Sequence, residues 1–140
     1  MSNVARNRPA GTKVADCVLD ASAVMALLRN ERGAETVAAR LAAAFISAAN
    51  YAEVISKLVD FGSPADLAAE AAGLLGMAVI ALDEIDARLA GMLRELTRAR
   101  GLSLGDRACL ALGARLGLPV LTADRAWAEL DVGVEVVLIR

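Results

Sequence analysis

Short apolar runs of strand type alternate with helical patterns along almost the whole of this 140-residue chain, and that alternation is its strongest constraint. Val18-Leu19 ends at Asp20 and is followed by an apolar helix over Ser22 to Leu28. A second helix covers Ala34 to Ala43, Phe45-Ile46 makes a brief strand, and Ser47 is a good cap for a helix running to about Asp60. Ser63-Pro64 reads as a cap and first-turn proline, with Asp66 as the capping-box acid, and Val79 to Leu82 follow as a strand. Ile85, Leu89, Met92, Leu93 and Leu96 keep to one face of a helix from Asp83 to Arg100. Ser103 to Leu116 makes another helix, Pro119 to Thr122 a strand, and Val134 to Ile139 the last strand. Strands separated by helices imply an α/β fold, a parallel sheet covered on both faces with right-handed crossovers. Any site then lies at the strands' carboxyl ends.

Composition removes several chemistries. The chain has no histidine, so it cannot build a Ser-His-Asp triad, a His-ligated zinc site or a His general base. Its two cysteines, Cys17 and Cys109, cannot make a four-thiolate site and read as small buried hydrophobes of a reducing compartment, which points to the cytoplasm. Residues 1–13 carry Arg6, Arg8 and Lys13 without an apolar segment of signal or membrane-span length and read as a mobile lead-in; residues 14–140 read as one domain with no membrane segment. A net charge of -2 argues against a broad basic nucleic-acid footprint. Trp127 reads as a packing anchor, because aromatics make up only 3% of the chain.

Four acids stand out by position. Asp20 and Asp124 lie at or just beyond the ends of apolar strands, where each reads equally as a helix cap or as a crevice ligand. Asp106 begins the face that carries Cys109, Leu110 and Gly113, where a lone carboxylate is penalised by desolvation unless paired, hydrogen-bonded or metal-bound. Glu53 falls beside Ser56, Lys57 and Asp60 and reads on its own as a solvated acid paired with Lys57 at i+4. Asp83, Glu84 and Asp86 read as helix-starting acids.

The segments Val18-Leu19-Asp20-Ala21-Ser22-Ala23, Ile46-Ser47-Ala48-Ala49-Asn50-Tyr51-Ala52-Glu53-Val54, Leu102-Ser103-Leu104-Gly105-Asp106-Arg107-Ala108-Cys109-Leu110-Ala111 and Leu121-Thr122-Ala123-Asp124-Arg125-Ala126-Trp127, in this order and spacing, resemble the PIN-domain ribonucleases, specifically VapC-like toxins of toxin-antitoxin pairs. The resemblance runs from about Val18 to the C-terminus. It implies a PIN-like α/β/α sandwich over 14–140 whose mostly parallel sheet is ordered 3-2-1-4-5, which sets the strand ending at Asp20 beside the strand preceding Asp124. It carries the family's acidic quartet onto Asp20, Glu53, Asp106 and Asp124, with Ser22 and Thr122 as hydroxyls that orient a carboxylate or a metal-bound water.

Carboxylates about 5 Å apart repel by roughly 3 kcal/mol at an effective dielectric of about 20. Magnesium or manganese removes that repulsion and prefers oxygen ligands, which makes either the implied cofactor. The implied reaction is endonucleolytic hydrolysis of RNA. The implied partners are a structured RNA such as a tRNA or rRNA loop, a cognate VapB-like antitoxin on an apolar groove near Val24, Leu27 and Leu28, and a second copy in a homodimer. Arg29, Arg107 and Arg125 are candidate RNA contacts, each equally readable as a surface residue. Two rivals stand beside the nuclease: a catalytically silent PIN-like binding module, and a receiver-type phosphoacceptor domain. The second wants a lysine at a late strand end, whereas the only lysines are Lys13 and Lys57.

Overall fold

The structure is a computed structural model, and it describes residues 15–140; the mobile lead-in expected over 1–13 lies outside the described residues. Five strands, β1 (Cys17–Leu19), β2 (Ala44–Ser47), β3 (Ala78–Ile80), β4 (Val120–Thr122) and β5 (Val136–Leu138), form one sheet in the order 3-2-1-4-5. Every pairing is parallel, so the sheet is wholly rather than mostly parallel. The helices are α1 (Ala21–Leu28), α2 (Ala34–Arg40), α3 (Ala48–Asp60), α4 (Ala65–Leu74), α5 (Glu84–Met92), α6 (Arg94–Thr97) and α7 (Leu104–Leu116). The strand order excludes a receiver domain, whose doubly wound sheet runs 2-1-3-4-5.

Alternation along the short strands divides the core into two layers. Cys17, Leu19, Ala44, Ile46 and Leu121 face one side, where Val24 of α1, Val37 of α2 and Val54 of α3 meet them. Val18, Phe45 and Val120 face the other, against Ala90 of α5, Leu110 of α7 and Trp127. Each large apolar side chain buried here contributes about 1.5–3 kcal/mol, and Trp127, with no exposed surface, is the anchor its sequence suggested. Gly113 lets α7 lie directly on β4: a Cβ there would stand 2.5 Å from Val120 Cγ2. Val24 is interior, while Leu27 and Leu28 are half-buried against the same core, so two of these three residues retain a surface and one has none.

Three local expectations are corrected. The helix expected over Asp83 to Arg100 breaks at Leu93, and its apolar stripe faces the core only in part: Leu93 is buried and Leu89 packs against the core, but Ile85, Met92 and Leu96 are exposed, whereas Asp86, Ala90 and Thr97 are buried. The reason is Asp86, whose two oxygens receive Nε (2.5 Å) and Nη2 (3.0 Å) of Arg115, so a neutralised charge shares the inward face of this helix with Ala90. Ser63 does not cap α4, because Pro64 holds the cap position and the Ser63 hydroxyl donates to the Pro64 carbonyl; Asp66 instead accepts from the Leu67 N–H. The second helix ends at Arg40 and closes with a 3-10 turn over Leu41–Ala43. By contrast Ser47 caps α3, accepting from the Ala49 N–H, as its sequence suggested.

Candidate active site

In the sheet order 3-2-1-4-5, β1 and β4 are neighbours whose connections leave in opposite directions, and the crevice beyond their carboxyl ends is the switch point of the fold. Asp20 follows β1 and Asp124 lies two residues beyond β4. Asp20 occupies the cap position of α1 but makes no side-chain cap bond, which removes the structural explanation open to it in the sequence. Its side chain is only 3% exposed, and Oδ2 accepts from the hydroxyls of Ser22 and, at 2.8 Å, Thr122. The two hydroxyls also lie 3.1 Å apart. Ser22 Oγ accepts from the Ala123 N–H (2.9 Å) and Thr122 Oγ1 from the Asp124 N–H (3.0 Å), so one network joins the end of β1 to the end of β4.

The other three acids reach the same region by different routes. Asp106 closes a capping box at the start of α7: Ser103 N–H donates to its Oδ2 (2.9 Å), and its own N–H donates to Ser103 Oγ (3.2 Å). Asp124 is exposed and accepts from the Ala126 N–H, capping the short 3-10 turn Arg125–Trp127. The cap reading is therefore met for Asp124, Asp106 is held in a capping box that the sequence reading does not name, and each arrangement also fixes its carboxylate in place. Glu53 corrects its own sequence reading. It is half-buried and forms no ion pair with Lys57 among the described residues; its Oε1 accepts from Asn50 Nδ2 at 2.9 Å, across from Gly105 of α7.

Electrostatics links the four. Burial pushes the Asp20 carboxyl up to about 6, against the pull of the Ser22 and Thr122 hydroxyls, and the charges of Asp106 and Glu53 push it the same way as burial. Burial also raises Asp106, opposed by its bonds from Ser103 and assisted by the charge of Asp124. The buried Cys109 thiol is held well above its ordinary range by burial and by the charges of Asp20, Asp106 and Glu53, which makes it inert. Among the described residues, none of the four acids has a basic partner in an ion pair.

Carboxylate and hydroxyl oxygens without imidazole or thiolate suit a hard divalent cation, and a buried carboxylate with no cationic partner favours one. Among the described residues no three acidic or cysteine side chains stand close enough to grip one ion directly. A cation fitting this region therefore takes one or two carboxylates and keeps water in its shell, the habit of magnesium.

The candidate RNA-contact arginines are placed differently from one another. Arg107 turns to the opposite layer, donating Nη1 to the Ala90 carbonyl of α5 at 3.0 Å. Arg29 lies over the Phe61 ring, 3.9 Å from its centre, and 3.6 Å from Glu31. Arg125, next to Asp124, is exposed. Sequence reasoning missed Asn50, whose partner Gly105 lies 55 residues away; the one signal was a polar residue at the first turn of an apolar-faced helix.

Comparison with known proteins agrees with the fold. No curated protein matches the chain by sequence. The fold is similar to that in a toxin-antitoxin complex from Klebsiella pneumoniae, with a TM-score of 0.67 at 19% identity over 89% of this chain and 98% of the other. It is similar to DNA-bound VapBC from Salmonella typhimurium (TM-score 0.66, 18% identity, 91% and 100% of the two chains). VapBC-1 from nontypeable Haemophilus influenzae is alike too, at TM-score 0.66 and 20% identity over 88% and 97% of the two chains. Residues 17–133 match the family model described as PIN domain, and the chain belongs to the PIN-domain family.

Proposed function

We propose that the chain, as one PIN domain over 14–140, is a magnesium- or manganese-dependent endoribonuclease and the toxin of a toxin-antitoxin pair. The observation that carries this reading is Asp20: a carboxylate buried at the switch point, hydrogen-bonded by two hydroxyls, influenced by two further acids and without a basic partner. When bound, the cation supplies positive charge to neutralise carboxylates and phosphate and acidifies water for attack on the phosphodiester. Asp20 and Asp124 are its main protein ligands in this reading, Asp106 binds it directly or through water, and Glu53 orients the attacking water or completes the metal shell. Ser22 and Thr122 hold Asp20 from its Oδ2 side. Arg125, exposed beside Asp124, is the best placed of the three arginines to meet a phosphate; Arg107 is engaged by α5. With aromatics at 3%, recognition rests on the shape and backbone of a structured RNA.

The similar structures are VapBC and other toxin-antitoxin complexes, which supports a VapB-like antitoxin as partner of this chain. Leu27 and Leu28, half-buried on α1, are the residues of the expected groove that keep a surface for it. A homodimer and a cytoplasmic setting complete the reading; among the described residues no helix is long and apolar enough to cross a membrane. A catalytically silent PIN-like binding module is the second reading, favoured by the absence among the described residues of three acids poised around one point.

The deciding experiment incubates purified protein with total RNA in magnesium, manganese or EDTA and maps the new ends. Cleavage confined to the metal-containing samples, and lost in folded Asp20→Ala and Asp124→Ala, is the expected result. Unchanged cleavage in both variants overturns the assignment, and no cleavage by the wild type under any condition selects the silent module.

A further inference from the structure

The carboxylate of Glu53 is held by an amide of its own helix that is itself tied to another helix. Asn50, one turn earlier and with no exposed surface, donates Nδ2 both to Glu53 Oε1 (2.9 Å) and to the Gly105 carbonyl at the start of α7 (3.1 Å). One amide thus ties a carboxylate of α3 to the backbone of α7. Gly105 supplies the space: a Cβ there would lie 2.6 Å from Cδ and 2.8 Å from Oε2 of Glu53. Asn50 Oδ1 is buried without a hydrogen-bond partner among the described residues. An unpaired buried oxygen is unfavourable, so stability alone does not account for an asparagine here. Lys57, exposed one turn beyond Glu53, is the partner the helix offers, and the carboxylate does not take it.

We propose that Asn50 is a positioning residue which, with Gly105 keeping the space open, holds the Glu53 carboxylate against the start of α7 and away from Lys57. This inference rests on the acids forming a cation-binding nuclease site and deepens that reading. A carboxylate aligned in advance spends no reorganisation when cation and substrate arrive, and loss of such an outer support commonly weakens metal affinity or activity by about 10- to 100-fold.

The test measures Mn2+ binding by titration calorimetry, and RNA cleavage alongside it. Asn50→Ala and Gly105→Ala each weaken Mn2+ binding about tenfold, while Asn50→Ala introduced into Glu53→Gln adds less than about twofold. Asn50→Ala with Lys57→Ala regains part of the loss, because the competing partner is gone; a purely structural defect would not respond. Gly105→Ala keeps the test open if Asn50→Ala fails to fold, since alanine favours the helix over glycine. Wild-type Mn2+ affinity in folded Asn50→Ala and Gly105→Ala overturns the proposal, as does a loss equally large in the Glu53→Gln background. Protein that binds Mn2+ with the expected pattern but cuts no RNA keeps the positioning role and removes the nuclease. Metal-dependent RNA cleavage with unchanged Mn2+ affinities does the reverse, and wild type that binds no Mn2+ removes both.

Discussion

Replacing Asp20 by asparagine should stabilise the metal-free protein at neutral pH. An aspartate in the unfolded chain ionises near 3.8, whereas burial moves Asp20 to about 6 in the folded state. Between those values the folded protein holds a proton that the unfolded chain has released, so stability falls as pH rises through this window and stays low above it. Roughly two decades of proton affinity, each about 1.4 kcal/mol, amount to about 3 kcal/mol. The carboxylate is 3% exposed, so solvent screens little of that penalty. The substituted side-chain amide would keep a carbonyl oxygen for the Ser22 and Thr122 hydroxyls and carry no charge toward Asp106 and Glu53. Urea unfolding in EDTA across about pH 4 to pH 8 measures the effect. Wild type should lose about 3 kcal/mol over the range relative to Asp20→Asn, with the curves converging near pH 4. A variant less stable than wild type at about pH 8, or a difference that does not change with pH, would refute the reasoning.

Other perturbations have distinct signatures. Ser22→Ala removes a hydroxyl that lowers the Asp20 proton affinity and strands the Ala123 N–H; stability should fall by about 1–2 kcal/mol, and the pH window above should extend upward, both read by the same urea series. Asp86→Ala breaks the buried pair with Arg115 and should destabilise by about 3 kcal/mol, the low end for a buried pair because the Arg115 side chain is 34% exposed; chemical denaturation checks it. Gly113→Ala forces a Cβ against Val120 and should destabilise by about 1–3 kcal/mol in thermal or urea unfolding despite the better helix propensity of alanine.

How much the sequence reveals depends on how local the determining interaction is. The helix over 48–60 announces itself because Ser47 caps it from the adjacent position, and the helix over 104–116 lies almost as read, with Ser103 as its cap rather than its first residue. The alternation of strand and helix suffices for a doubly wound sheet, and the order and spacing of the four acidic segments suffice for the family. The face of the segment 84–97 is misread in part because hydrophobicity marks Ile85, Met92 and Leu96, while the inward face includes Asp86, neutralised by an arginine 29 positions later. Glu53 is misread because the choice between two partners on its own helix is made from another helix. Its helix offers Lys57 at i+4, and the partner it takes, Asn50, is held in turn by the carbonyl of Gly105 from another helix. For Asp20 the sequence leaves cap and ligand open; the structure removes the cap bond and shows two hydroxyls on Oδ2, neither of which the sequence reveals.

Whether four acids remote in sequence serve one cation is tested most directly by anomalous diffraction from crystals soaked in manganese, which locates the ion itself. A single strong peak is expected beyond the carboxyl ends of β1 and β4, within ligand distance of Asp20 and lost in Asp20→Asn crystals. A wild-type map with no peak beside Asp20, or with manganese bound only elsewhere on the surface, would contradict the shared cation.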